Sequence, residues 1–237
     1  MRNAFTFNEV TSSSLGIEIE SKNVYSAPAL NQSFISVPGK DGDLLSKITN
    51  YKNIDISYSC FVIGLSNLRK IKEWLYLGSS EYHKLEDSYD KDFYRKAVYK
   101  GALDIEDTYN KAGSFVISFS CLPFKYANDG DIKEEFISDF TITNPYSFPS
   151  KPYIKITGEG NIEMIISSES DNSTWQFTDV DGYIEIDSEK MMFYKETLNK
   201  NSEVSGLGYP LFYLGENSVS FTGAVSKIEV IPRWVSL

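Results

Sequence analysis

Apolar and polar residues alternate with a period of two along several stretches of the chain, which is typical of strands with one buried face. Residues 54–62 show the pattern without a break, and residues 115–122 repeat it. Residues 94–105 indicate another strand, interrupted near Gly101. The apolar positions of the first stretch are Ile54, Ile56, Tyr58, Cys60 and Val62. These patterns predict a sheet in the first half of the chain.

One segment of the first half has a helical period instead. Leu68, Ile71 and Leu75 recur three and four residues apart, with Trp74 beside them. Ser66 is placed to be the N-cap, and Gly78 is placed to end the helix. The first half is therefore predicted to be strands with one helix covering a sheet face.

A change of character follows residue 126. Residues 128–131, Asn-Asp-Gly-Asp, favour a turn, and residues 144–152 carry three prolines, which disfavour a central strand. We therefore predict two domains, residues 1–126 and residues 127–237. The chain could also end with its last residues packed on the first domain.

The second half is predicted to consist of short strands. Residues 153–157 and 162–166 flank a glycine-containing turn signal, and residues 175–180 and 183–187 flank Asp181-Gly182, which suits a type I′ turn. Further short strands are predicted at 210–214, 219–222 and 225–231. Short strands at this spacing favour a β-sandwich.

Composition supports the sheet prediction. The 237 residues include 16 Tyr, 15 Phe and 3 Trp, and aromatic residues fit pleated, half-buried surfaces. The net charge is -10, and its distribution is uneven. Residues 1–126 hold 15 of the 23 basic and 15 of the 33 acidic residues, so the whole acidic excess lies in the second half. This excess argues against sequence-specific nucleic-acid binding there, which needs Lys and Arg for the phosphates.

The chain shows no candidate for a cofactor, and its cysteines do not suggest a metal site. Cys60 and Cys121 lie in alternating stretches and are predicted to be reduced core thiols, with a disulfide as the alternative. No leader pattern begins the chain and no stretch is long and apolar enough to span a membrane, so we expect a soluble protein made in the cytoplasm.

Catalytic residues are equally hard to find. His83 is the one histidine, and it lies in a polar stretch with no evident partner for acid–base work. Asp87, Asp90 and Asp92 lack the spacing of a calcium loop. Trp175 is open to two interpretations, a core side chain or a platform that stacks on a sugar. The sequence therefore predicts no enzyme.

Several segments together resemble the distal tail protein family of long-tailed phages and related prophage or tailocin particles. Residues 37–44, Val-Pro-Gly-Lys-Asp-Gly-Asp-Leu, are similar to the family's Val-Pro-Gly-Arg-x-Gly-x-Leu segment. Residues 69–75 resemble its single helix, residues 115–126 resemble the strand that closes its first domain, and residues 215–235 fit its last strands. The order and spacing of these segments carry the resemblance.

The resemblance implies a mainly β fold, with an N-terminal ring-forming domain that has one α-helix and a C-terminal galectin-like β-sandwich. It implies a structural subunit at the virion tail tip that forms a ring, usually a hexamer, between the tail tube and the tail tip or baseplate. The implied partners are copies of itself, the tail tube protein, the end of the tape measure, the tail-associated hub, and baseplate or receptor-binding proteins.

Two other functions stay open. The protein could be a carbohydrate-binding module that recognises the bacterial surface with Trp175, although the galectin sugar site uses histidine and none follows His83. It could also be a cell-wall hydrolase, which would need a pair of carboxylates that the sequence does not single out.

One short segment is the candidate contact site. We predict that Val37, Pro38, Gly39, Lys40 and Asp41 lie in a projecting loop or hairpin that contacts another subunit or the tube. The alternative is a plain surface turn.

Overall fold

The computed structural model describes residues 3–46, 50–77, 79–108 and 111–237, and it shows a chain folded as two compact units. The first unit runs to Lys125 and includes Leu237, and the second comprises Tyr126–Ser236. Strands dominate, and the part of the chain that the structure describes contains one α-helix. The predicted mainly β fold with a single helix is thereby confirmed.

The strands of the first unit form one twisted sheet and a separate two-stranded ribbon. Along the sheet the order is β2-β1-β7-β8-β10-β6-β3, with β9 beside β10, and β4 pairs with β5 in the ribbon. The elements are β1 (Phe5–Phe7), β2 (Val10–Thr11), β3 (Ile17–Lys22), β4 (Ser33–Ile35), β5 (Leu44–Ser46), β6 (Ile54–Ile63), α1 (Leu68–Tyr76), β7 (His83–Asp87), β8 (Asp90–Tyr99), β9 (Glu106–Thr108) and β10 (Ala112–Ala127).

The helix α1 covers one face of the sheet, as its periodicity predicts. Ile71, Trp74 and Leu75 are buried, and the Trp74 indole Nε1 donates a hydrogen bond of 3.0 Å to the backbone oxygen of Phe7. The predicted N-cap is wrong by one residue. Asn67 occupies that position, and its side-chain amide donates to the backbone oxygen of Leu15 instead of capping the helix. The predicted end at Gly78 lies outside the described residues.

The two alternating stretches pair with each other. Strands β6 and β10 run antiparallel, with Cys60 opposite Phe115 and Tyr58 opposite Ile117, and the side chains of these four residues point into the core. The rings of Phe5 and Tyr58 stack 4.3 Å apart in this core. Alternation therefore predicted the buried face of both strands correctly.

The second unit is built from long strands. Its sheet order is β11-β18-β13-β14-β15-β16, with β12 also beside β18 and β17 also beside β14. The strands are β11 (Glu134–Phe136), β12 (Phe140–Asn144), β13 (Tyr153–Ser167), β14 (Asn172–Asp187), β15 (Met192–Lys195), β16 (Leu198–Asn199), β17 (Val204–Gly206), β18 (Gly215–Ile231) and β19 (Val235–Ser236).

The predicted turns at residues 158–161 and at Asp181-Gly182 are wrong. Strand β13 continues through the first and β14 through the second, and β18 joins the two short strands predicted at 219–222 and 225–231. The turn that joins β13 to β14 lies at residues 168–171, where the Ser168 N–H donates to the Asp171 backbone oxygen.

Glycines allow the backbones of neighbouring long strands to approach each other closely where the register between the strands shifts. A Cβ on Gly158 would lie 2.4 Å from the backbone oxygen of Ala224, and a Cβ on Gly223 would lie 2.4 Å from that of Asn161. Gly223 also has a φ of 103°, which L side chains rarely adopt. These glycines therefore mark bends and bulges inside strands rather than the tips of hairpins.

Candidate assembly surface

A long excursion of the first unit, here called the arm, lies between β3 and β6 and comprises the described residues 23–46 and 50–53. Asn23 fixes its root to β6, because its side-chain amide donates to the Asp55 oxygen and its side-chain oxygen accepts the Ser57 N–H at 2.6 Å. Val24 follows and is buried. The arm therefore leaves the sheet from a defined position.

A buried ion pair stabilises the root from the other side. The Lys22 ammonium lies 2.5 Å from a carboxylate oxygen of Asp87, and both side chains are largely buried. The same oxygen of Asp87 accepts the Tyr89 N–H at 3.0 Å. Burial and the negative charge of Asp87 raise the pKa of the Tyr58 hydroxyl well above its ordinary value, so Tyr58 stays neutral beside this pair.

Beyond the root, the arm becomes a ribbon of two strands. Leu30 pairs with Tyr51, and Phe34 and Ile35 of β4 lie opposite Leu45 and Leu44 of β5. The ribbon forms a sheet of its own, separate from the main sheet.

The ribbon exposes apolar side chains on both of its faces. Because neighbours along a strand point to opposite sides, Phe34 and Leu45 share one face while Ile35 and Leu44 share the other. The exposed fractions are 63% for Phe34, 54% for Ile35, 44% for Leu44 and 57% for Leu45. A two-stranded hairpin alone is marginally stable in water, and contiguous exposed apolar surface marks interaction sites. The arm is thus the strongest candidate contact surface of the first unit.

The segment singled out in the sequence lies in the loop that joins the two strands of the arm. The Lys40 N–H donates to the Val37 oxygen at 3.1 Å, Gly39 has a φ of 83°, and Pro38, Lys40 and Asp41 are exposed. The structure brings these five residues together at the tip of the ribbon. Their use as a contact stays a prediction.

Sequence reasoning missed the apolar residues on either side of that tip. The signal was present, since Phe34-Ile35 and Leu44-Leu45 flank the Pro-Gly turn. A hydrophobic pair in a strand normally predicts burial within the chain, so the pattern alone does not distinguish a core strand from one that awaits a partner.

The sugar-stacking interpretation of Trp175 is not supported. The side chain is 2% exposed, and its indole Nε1 donates to the Gly208 oxygen at 3.1 Å. A buried ring offers no face to a sugar, so Trp175 is a core residue of the second unit.

The residues considered for chemistry are occupied by structural contacts. His83 lies edge-on to the ring of Phe7 with 5.8 Å between centroids, and Asp90 pairs with Lys125 at 3.0 Å. Cys60 and Cys121 are free and buried, as predicted. Within the described ranges, no three His, Cys, Asp or Glu side chains are grouped so that they could hold a metal ion.

The first half of the chain is similar to a known protein family. Residues 8–121 match the family described as phage tail protein RIFT-related domain. No curated protein matches the chain.

The chain as a whole has the fold of a distal tail protein. Its structure is similar to the crystal structure of Dit (gp 19.1) of phage SPP1, with a TM-score of 0.71, 11% sequence identity and 100% of each chain covered. That protein is described as a paradigm of the hub adsorption apparatus of phages that infect Gram-positive bacteria. The resemblance found in the sequence is therefore confirmed.

The described residues contain no helix that is long and apolar enough to cross a membrane.

Proposed function

We propose that the protein is a distal tail subunit that closes into a ring, a hexamer, and joins the tail tube to the tail tip or baseplate of the virion. The family match of the first unit and the fold similarity over the whole chain support this role. Its partners are further copies of itself, the tail tube protein, the end of the tape measure, the hub, and baseplate or receptor-binding proteins.

The arm is the observation that carries the proposal. A ring forms when one patch of a subunit meets a different patch on the next and the rotation closes. The arm is apolar on both faces, with Phe34 and Leu45 on one face and Ile35 and Leu44 on the other. It suits such a contact because a neighbouring subunit can cover both faces at once. Burying these side chains removes apolar area from water, the main driving force of association.

The distribution of charge fits the same arrangement. Residues 1–126 carry equal numbers of acidic and basic residues, so repeated contact between copies meets little like-charge repulsion. The acidic excess lies in residues 127–237, which suits a position at the periphery of the ring in solvent.

The native mass tests the ring. Light scattering of the purified chain, followed by negative-stain imaging of the same peak, is expected to give a mass about six times 26.8 kDa and ring-shaped particles. The sample is to be measured both alone and with the tail tube protein. Persistent monomers in both samples would refute the proposal.

Variants of the arm test the contact. Replacing Phe34 and Leu45 with Ser, or Ile35 and Leu44 with Ser, should abolish ring assembly while the circular dichroism spectrum stays unchanged. Leu207→Ser is the matched control, because Leu207 is an 89% exposed leucine of the second unit. Assembly that survives both double changes would remove the arm from the interface.

The tip of the arm is tested separately. Replacing Lys40 and Asp41 with Ala should weaken assembly, or weaken binding of the ring to the tube protein, without loss of folding. If neither changes, the tip is a plain surface turn, and the faces of the ribbon carry the contact alone.

A further inference from the structure

The second unit contains a cleft of about 310 Å³ that the ring does not explain. It lies between β14 and the segment that holds β15 and β16. Val180 and Ile184 are 7% and 3% exposed and form an apolar floor, and Tyr183 and Leu198 line the sides. A cleft with an apolar floor and a few polar groups is the usual form of a small binding site.

The cleft already binds ammonium groups of the protein's own side chains. The Lys195 ammonium lies 3.4 Å from a carboxylate oxygen of Asp181 and 5.3 Å from the centroid of the Tyr183 ring. The Lys200 ammonium contacts both carboxylate oxygens of Glu203, at 2.7 and 2.8 Å. Acidic groups and an aromatic ring thus hold cations here by ion pairs and cation–π contacts.

Two further carboxylates of the lining are left without a basic partner. Asp179 and Glu196 are exposed on β14 and on the turn after β15. Neither forms an ion pair with any residue that the structure describes, and the Glu196 carboxylate lies within hydrogen-bonding reach of the Tyr183 hydroxyl. The lining therefore holds four carboxylates and two lysines, so two negative charges are not neutralised.

We propose that this cleft binds an amphipathic cation, an alkylammonium or guanidinium group carried on an aliphatic stem. The stem packs on Val180, Ile184 and Leu198, and the cationic head pairs with Asp179 and Glu196. Two sources supply this chemistry, a Lys or Arg side chain of a neighbouring protein and a free diamine. The proposal is independent of ring formation, because every residue it uses lies in the second unit.

Saturation-transfer NMR on the full chain tests the site, and it works on a monomer or on a large assembly. The probes are 1,5-diaminopentane and Nα-acetyl-lysine methylamide, and both should bind and be displaced by added salt. 1,5-Pentanediol keeps the stem without the charge and should not bind. Tighter binding of the lysine amide indicates a protein side chain as the natural ligand, and tighter binding of the diamine indicates a free diamine.

Variants locate the site. Asp179→Asn and Glu196→Gln should each weaken binding of either probe by about two- to fivefold, and the double change by about tenfold. Glu169→Gln with Glu216→Gln removes two exposed charges of the same unit outside the cleft and should leave binding unchanged. Absence of probe binding, equal binding of the diol, or full binding by the Asp179 and Glu196 double variant would overturn the proposal.

Discussion

Arg233 and Asp187 form a paired contact in the second unit, with nitrogen–oxygen distances of 2.7 and 3.2 Å. The Asp187 side chain is 2% exposed and that of Arg233 is 18% exposed. The pair ties the chain just after β18 to the end of β14. Arg233 also lies 3.6 Å from Glu189, which accepts a hydrogen bond from the Tyr126 hydroxyl.

Removing one partner of this pair should destabilise the second unit. Asp187→Asn leaves the Arg233 charge buried without its counterion, so we expect the free energy of unfolding to fall by about 3 kcal/mol. Chemical denaturation followed by fluorescence measures the change. Asp181→Asn, at a side chain 96% exposed, is the control and should stay within about 0.5 kcal/mol of the parent.

Acid should weaken the second unit through two carboxylates. Hydrogen bonds from Lys133 and Lys227 lower the pKa of Glu229 to about 2. Burial alone would raise the pKa of Asp187, but hydrogen bonds from Arg233 and the Lys190 N–H bring that pKa below its ordinary value. A carboxyl with a depressed pKa stabilises the fold only while ionised. The stabilisation from Glu229 is therefore fully present above pH 4.5, the ordinary pKa of a glutamate, and is lost as the pH falls toward about 2.

Denaturation curves at a series of pH values across this window test whether Glu229 and its lysine partners cause the loss of stability in acid. Glu229→Gln should reduce the loss of stability on acidification, and Lys133→Met should reduce it too, because it removes the partner that lowers the pKa. An unchanged pH dependence in both variants would show that this cluster does not contribute.

The glycines at the strand bends should be intolerant of substitution. Gly158→Ala places a Cβ 2.4 Å from the backbone oxygen of Ala224, so the strands must separate at a cost of about 1–3 kcal/mol. Gly160→Ala, two residues away in open space with a φ of 73°, should cost about 1 kcal/mol from backbone strain alone. Equal costs at both positions would contradict the close approach.

The two thiols should be inert in the folded protein. Burial raises the pKa of both Cys60 and Cys121 to about 12, so only about one thiol in ten thousand is ionised at pH 8. A chromogenic disulfide reagent should react with them only after denaturant is added. Ser36→Cys, exposed near the tip of the arm, supplies a thiol that should react at once in the same protein.

The first unit followed its sequence closely because its signals are local. The alternation in β6 and the period of α1 report which face meets the core, whichever distant segment packs against that face. The N-cap was misplaced by one residue because Ser66 and Asn67 are both good caps, and the Asn67 side chain is used to hold Leu15 instead.

The second unit was harder for a physical reason. Gly158, Gly160 and Gly182 were interpreted as turn residues, although a glycine also serves where two backbones approach closely. Only the neighbouring strand, such as Ala224 beside Gly158, decides between these uses, and that neighbour is distant in sequence. The sequence singles out only the Pro-Gly tip of the arm, because the exposure of its apolar faces depends on what lies around them in space.

The unbroken course of β13, β14 and β18 has a consequence for how the second unit unfolds. Each of these three strands carries residues on both sides of its irregular point, so the two halves of the unit share their three longest strands. Melting one half would remove the template for the other. The unit should therefore lose its structure in a single cooperative transition, with amide protons on both sides of Gly158 exchanging at the same global rate.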